Sequence, residues 1–178
     1  MRLFTAVDIP TEVKHNLQAL LDRLRPLAKL SWTRADNLHV TTKFIGEWPE
    51  NRLEEMKRAL ESVGSPGAID IAIRGIGWFP NARNPWVFWA GVHAGAPLES
   101  LAHATEAAVH ALGVPKEDRE FAPHLTLARI KDRVPLDDLR RAIAELESTD
   151  FGSFRPPSFC LYSSAAGRYT KLAEFALT

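Results

Sequence analysis

Apolar positions along the chain follow two periods. Val13, Leu17, Leu20, Leu21 and Leu24 recur at helical spacing behind Pro10-Thr11, which predicts a helix from Thr11 to about Ala28. Leu98, Leu101, Ala102, Thr105, Ala108 and Leu112 do the same and predict a helix from Pro97 to about Leu112, closed by Gly113. Leu53–Leu60 and Leu136–Ile143 read as two shorter helices. Ile69, Ile71 and Ile73 alternate with other residues, as a strand with one buried face should. Leu3–Ile9, Phe88–His93, the stretch around Phe159 and Leu161, and Tyr169–Leu177 supply further strands. Turn chemistry marks the gaps at Gly64-Ser-Pro-Gly67, Pro80–Pro85 and Arg155-Pro-Pro157.

The predicted elements repeat. Leu3–Ile9 is matched by Phe88–His93, the helix after Thr11 by the helix after Pro97, and Leu53–Leu60 by Leu136–Ile143. Each half reads strand, helix, apolar strand, helix, strand. The duplication divides the chain at about residues 1–85 and 86–178 of a single bilobal domain, because no linker is long enough to separate two independent ones. Two similar α+β halves are expected to pack about an approximate two-fold axis, with equivalent strands facing each other across a cleft.

Composition narrows the function classes. With 46% hydrophobic and 25% charged residues, the chain is an ordinary globular protein. Its formal net charge of zero supplies no global field for long nucleic acid, so any RNA contact has to be local. The single cysteine, Cys160, excludes an internal disulfide framework and any cysteine-rich metal site. The N-terminal segment lacks a signal-peptide pattern and no apolar run is long enough to span a bilayer, so a soluble cytoplasmic protein is expected.

The candidate chemistry lies in the two apolar strands at the centre of each half. His39-Val40-Thr41 and His124-Leu125-Thr126 share the pattern His-x-Thr and are 85 residues apart. A strand places residues i and i+2 on one face, about 7 Å apart, so each motif presents an imidazole and a hydroxyl together. Either motif alone reads as a half-buried strand histidine. The pair, at equivalent positions of a duplication, reads as a site: a two-fold axis that brings the strands together brings the imidazoles together. Histidine, with an ordinary pKa of about 6.5, can act as base and as acid near neutrality. The threonine hydroxyls can donate to the oxygens of a phosphodiester as charge builds there.

Other candidates read more plainly. His15 lies on a solvated helix face, and His93 ends a strand with no apparent partner. His103, Glu106 and His110 share a helix face, for which an exposed polar stripe is favoured over a metal site. Arg34, Lys43, Arg83, Arg168 and Lys171 are ordinary surface charges with the option of rimming the cleft. The five tryptophans read as packing.

These motifs sit in a longer pattern. Arg2–Pro10, Trp32 before Asn37–Glu47, Phe79-Pro80 with Trp89–Val92, Phe121–Arg129, Leu161–Ser164 and Gly167–Tyr169 together resemble the two-histidine (2H) phosphoesterases, in particular the bacterial and archaeal RNA 2',3'-cyclic phosphodiesterases, also called 2'-5' RNA ligases. The resemblance covers essentially the whole chain. It implies an α+β fold with two pseudo-symmetric lobes of antiparallel sheet and outer helices around a central cleft. It also implies hydrolysis of a 2',3'-cyclic phosphate to a 2'-phosphomonoester without metal or cofactor, and a reversible 2'-5' joining of RNA ends. By position, His39 is the general acid at the departing 3'-oxygen and His124 the base that activates water, with Thr41 and Thr126 at the phosphate.

Arg129 corresponds to an arginine the family uses near the phosphate. Five residues past His124, it lies on the opposite face of a regular strand, so a bulge or a strand end is needed to bring it into the cleft. Phe44, equivalently placed after His39, offers a ring to a nucleobase, with a core aromatic as the alternative. Thr42, where many relatives are apolar, is expected to face away from the phosphate. RNA ends or cyclic nucleotides are the expected partners of a monomeric enzyme with no membrane and no obligate protein partner. Two other readings stay open: a non-catalytic RNA-end or nucleotide-binding module, and a 2H phosphodiesterase acting on another cyclic nucleotide or a 2'-5' oligonucleotide.

Overall fold

The computed structural model describes residues 1–177. In chain order its elements are β1 (Arg2–Asp8), α1 (Thr11–Leu24), β2 (Ser31–Trp32), β3 (His39–Glu47), α2 (Leu53–Glu61), β4 (Ile71–Phe79), β5 (Val87–His93), α3 (Gly95–His110), β6 (His124–Arg129), α4 (Asp137–Ala144), β7 (Asp150–Phe154), β8 (Ser158–Ala165) and β9 (Arg168–Ala176). The strands form two antiparallel sheets, ordered β3-β1-β8-β9 and β2-β6-β5-β4-β7. The sheets exchange strands: β4 lies beside β5 of the second half, and β8 lies beside β1 of the first. Each sheet therefore needs both halves of the chain.

The predicted helices and long strands form where their periodicity places them. Helix α1 buries Val13, Leu17, Leu20, Leu21 and Leu24 as one stripe. It ends at Leu24 rather than near Ala28, because Pro26 lacks the N–H that another turn would need, and residues 25–27 tighten into a 3-10 turn. Helix α3 starts two residues before Pro97, which fits within its first turn. The short strands β2 and β7 have no counterpart in the sequence pattern, since neither carries a sustained alternation.

The strands present two faces with different surroundings. Leu3 and Val7 of β1 join the main core with α1, α3 and the buried faces of β5 and β6. Phe4 and Ala6, on the other side of β1, form a small separate cluster with Cys160 and Tyr162. That second cluster floors the face the helices leave uncovered. Strands β3 and β6 approach each other between the sheets. Among the described residues, no helix is long and apolar enough to cross a membrane.

Candidate active site

Both motif strands carry the same irregularity at the same place. Along β1 and β3, Ala6 pairs with Thr41 but Thr5 pairs with Lys43, so Thr42 is one residue too many. Along β5 and β6, Trp89 pairs with Thr126 but Phe88 pairs with Ala128, so Leu127 is the extra residue. A β-bulge of this kind puts two consecutive residues opposite one and resets the alternation beyond it. Burial follows: Thr42 and Lys43 are both buried, as are Leu127 and Ala128. Phe44 and Arg129 then return, exposed, to the face of their histidines. Of the two devices that could bring Arg129 round, a bulge or a strand end, both are present, since β6 also ends at Arg129. Thr41 and Thr126, ahead of the bulges, are each half-buried. Thr42 points away from the open face, where its hydroxyl meets that of Thr5 at 2.7 Å.

The backbone sets the same tautomer for both rings. His39 Nδ1 lies 3.2 Å from the Asn37 carbonyl, and His124 Nδ1 lies 3.0 Å from the Ala122 carbonyl. A carbonyl only accepts, so each Nδ1 carries the hydrogen and each Nε2 is left for chemistry. The residues that precede each motif thus aim its ring.

The surroundings of the two rings differ sharply. His39 has a side chain only 7% exposed. The rings of Tyr162, Tyr169 and Phe4 enclose it, with centroids 4.6, 5.8 and 6.4 Å away. Its Nε2 is 3.6 Å from Asp8 Oδ1. Asp8 also accepts hydrogen bonds from the Tyr162 hydroxyl and, at 2.7 Å, from Lys171 Nζ. Burial opposes charge on Asp8, but the bonds from Lys171 and Tyr162 outweigh it and hold the carboxyl below its ordinary range. Burial pushes His39 below its ordinary pKa, and the Asn37 carbonyl and Asp8 only partly restore it.

His124 is exposed, and its cross-strand neighbour is Gly91 where that of His39 is Asp8. Gly91 has no room for a side chain: a Cβ there would stand 2.5 Å from the Arg74 carbonyl oxygen. The irregular pairing of β4 and β5 around Arg74 thus forbids a second carboxylate and separates two otherwise equivalent histidines.

A hairpin tip closes over the His39 side. Ala166 and Gly167, both at positive φ (51° and 76°), form the two-residue turn between β8 and β9. Asn37 Nδ2 donates to the Gly167 carbonyl at 3.0 Å, tying this turn to the segment that leads into His39. On the other sheet, Trp89 is the cross-strand neighbour of Thr126. Its indole lies so close over Gly77 that a Cβ there would come within 2.1 Å of the ring.

Several other side chains serve elsewhere. Lys43, expected at the surface, is buried at 2% side-chain exposure because the bulge turns it toward α3. There its Nζ meets Glu106 and Glu117 at 3.5 Å each and the Pro115 carbonyl at 3.2 Å. Glu106 is thus committed to Lys43, and His110 Nδ1 bonds the Val114 carbonyl just past the end of α3, so the helical His-Glu-His pattern forms no ligand set. His93 does have a partner, the Arg74 carbonyl at 3.3 Å. Asp8, Cys160 and Glu174 lie close enough to hold a cation. The Lys171 ammonium already occupies that position, 2.7 Å from Asp8 and 3.6 Å from Glu174. The Cys160 thiol, pushed up to about 11 by burial and by Asp8, is a poor metal ligand there.

Asp8 and Tyr162 escaped sequence reasoning, since they are 154 residues apart. The available signal was the alternation Phe4, Ala6, Asp8, which puts a carboxylate on the same face as its cross-strand partner His39.

Comparison with known proteins gives a consistent result. The chain is 33% identical over 164 residues to an RNA 2',3'-cyclic phosphodiesterase of Methanocaldococcus jannaschii, covering 92% of this chain and 91% of that protein. It is 30% identical to the protein of the same name from Archaeoglobus fulgidus, with the same two coverages. The structure superposes on a solved protein of Thermus thermophilus with a TM-score of 0.80 at 30% identity, covering 99% of this chain and 98% of that one. It superposes on Escherichia coli LigT, solved with 3'-AMP, with a TM-score of 0.76 at 26% identity and the same coverages. The profile described as LigT like Phosphoesterase matches residues 7–89 and 92–169, so that each match spans one His-x-Thr strand and its bulge, and the chain belongs to the LigT-like phosphoesterase family.

Proposed function

We propose that this protein is an RNA 2',3'-cyclic phosphodiesterase that opens a 2',3'-cyclic phosphate to a 2'-phosphomonoester. The observation that carries the reading is the pair of bulged His-x-Thr strands, each with Nδ1 bound to backbone and Nε2 left for proton transfer, that of His39 lying 3.6 Å from Asp8 Oδ1. Relatives that share about 30% of their residues with this chain over most of its length carry that name, and Escherichia coli LigT has been solved with 3'-AMP.

In this reading His124, exposed to solvent, takes a proton from a water that attacks phosphorus. The bond from phosphorus to the 3'-oxygen breaks, and His39 gives a proton to that oxygen. The phosphate anion and the Asp8 carboxylate together favour the imidazolium that His39 must be beforehand, against the burial that disfavours it. Thr41 and Thr126 donate to the non-bridging oxygens, and Arg129 adds a charge-assisted contact. Phe44, 64% exposed, stacks on the terminal nucleobase. The two imidazoles carry both proton transfers, so no metal takes part. If an RNA 5'-hydroxyl replaces the attacking water, the same steps join two ends through a 2'-5' linkage. The enzyme acts as a cytoplasmic monomer.

The test is incubation of the purified protein with a 2',3'-cyclic mononucleotide in EDTA, followed by identification of the phosphomonoester. A 2'-phosphate is expected, and it should vanish in His39→Ala and His124→Ala. A 3'-phosphate, or turnover only after a divalent metal is restored, overturns the reading.

A further inference from the structure

Among the described residues, the exposed large hydrophobic side chains are Phe44, Phe79, Trp86 and Tyr169. Phe44 and Tyr169 belong to the site already described. Phe79 and Trp86 do not, and they share the hairpin between β4 and β5. Large rings left in water at 47% and 66% exposure call for an explanation.

The register places Phe79 in line with the reaction centre. Phe79 pairs with Val87, and Val87 pairs with Arg129, so all three point to the open face of the second sheet. Trp86 immediately precedes Val87 at the hairpin, its carbonyl accepting from Ile130 N–H at 2.8 Å. The hairpin is rigid. Trp86 N–H donates to the Phe79 carbonyl at 2.7 Å, Asn81 Oδ1 accepts from the N–H groups of Arg83 and Asn84, and Arg140 bonds the Ala82 carbonyl. Arg140 also lies over the Trp78 ring, 4.9 Å from its centroid.

Charge points the same way. Arg83 on the hairpin, and Arg129, Lys131 and Arg133 on the segment beside Trp86, form no ion pair among the described residues. One carboxylate, Asp132, lies within that segment. In a chain of zero net charge this is a local cationic strip, continuous with the proposed phosphate site through Arg129. Rings interleaved with unpaired cations suit single-stranded nucleic acid, because every base has a face to stack and every linkage a charge to neutralise.

We propose that Phe79 and Trp86 form a stacking platform for the nucleotides on the 5' side of the cyclic phosphate, so that the enzyme favours a polynucleotide end over a cyclic mononucleotide. The proposal rests on the function proposed above but is tested separately from it. A mononucleotide reaches only the imidazoles, Arg129 and Phe44; the upstream nucleotides alone reach the hairpin.

The experiment measures the Kd of a fluorescein-labelled hexaribonucleotide with a 3'-phosphate, by anisotropy, beside that of a 3'-mononucleotide. Phe79→Ala and Trp86→Ala should each weaken hexanucleotide binding about tenfold and leave mononucleotide binding unchanged. Trp86→Phe should restore most of the loss, and circular dichroism should show all three variants folded. Where the wild type hydrolyses cyclic ends, kcat/KM for a hexanucleotide should fall in parallel while that for the cyclic mononucleotide stays constant. Hexanucleotide affinity unaffected by both Ala substitutions overturns the platform, whether or not the protein is an enzyme. So does equal weakening of both ligands, or a change of oligomeric state in place of RNA affinity. If binding behaves as expected and no cyclic end is opened, the platform stands and the hydrolytic reading falls.

Discussion

Phe44 and Arg129 occupy the same position in the two lobes: each lies five residues past its motif histidine and is returned to that histidine's face by a one-residue bulge. The two motif strands share the device that delivers the side chain and differ in what is delivered, a ring on β3 and a guanidinium on β6. Arg129→Ala should therefore lower kcat/KM for a cyclic nucleotide about 100-fold, the scale of a lost charge-assisted contact to the reacting group. Arg129→Lys should recover only part of it, because an ammonium cannot reproduce the planar fork. Steady-state kinetics of the two variants checks this, and wild-type rates in Arg129→Ala would leave the second bulge without a chemical purpose.

The Asp8 carboxylate gives a way to tell the two histidines apart. Its charge raises the pKa of His39, against burial that lowers it. Asp8→Asn should move the His39 pKa further down. A group that must be protonated produces the alkaline limb of a bell-shaped profile, and one that must be deprotonated produces the acidic limb. If His39 is the acid, Asp8→Asn shifts the alkaline limb to lower pH and leaves the acidic limb in place. A shift of the acidic limb instead would exchange the two roles.

The same group links stability to pH. The folded state holds His39 below its ordinary 6.5, so the neutral ring is favoured by folding. That contribution is complete above about pH 6.5 and is lost as the pH falls from there through the folded-state value. Asp8, also held below its ordinary value, adds a loss in the same direction but only at more acidic pH, below its ordinary 3.8. Melting temperature should thus decline from about pH 6.5 downward, and His39→Asn should flatten the first part of that decline.

Periodicity and pairing explain what could be read in advance. The two long helices announced themselves through five apolar residues at one spacing, a strand through the alternation of Ile69, Ile71 and Ile73, and the two motifs through their equivalent positions. Even the need for a bulge or a strand end beside Arg129 followed from counting residues against a strand face. The exchange of β4 and β8 between sheets was illegible, because a strand's apolar face does not name its neighbour. Lys43 misled for a related reason: in a regular strand it shares the face of His39 and Thr41, and only the extra residue at Thr42 turns it inward. The Asp8–Tyr162–Lys171 cluster joins strands from opposite ends of the chain, which no local pattern reports.

Gly77 tests how closely the open face is packed. Its missing Cβ is the space in which the Trp89 indole lies, and Trp89 neighbours Thr126 across the strand. Gly77→Ala cannot be accommodated by a flexible chain end, since the opposing atoms belong to a rigid ring. The indole must tilt toward Thr126. The variant should remain folded, lose at least about 10-fold in kcat/KM through misplacement of the phosphate, and show a shifted tryptophan emission. Wild-type kinetics with a shifted emission would mean that Trp89 borders no part of the reaction centre.

Lys43 is the sharpest case for stability. Its ammonium is buried, and three oxygen partners compensate its desolvation: Glu106, Glu117 and the Pro115 carbonyl. Removing one partner of a buried pair leaves the other uncompensated, at a cost of about 3–5 kcal/mol. The two glutamates are not equal, because Glu106 is 25% exposed and Glu117 53%, so water can replace Glu117 more readily. Urea unfolding should therefore rank Glu106→Gln as more damaging than Glu117→Gln. Lys43→Ala should fall near the low end of that cost, since its freed carboxylates reach solvent. Because Lys43 points away from the open face, the folded fraction of each variant should keep the wild-type kcat. Losses below about 1 kcal/mol for all three would instead place this contact among ordinary surface ion pairs.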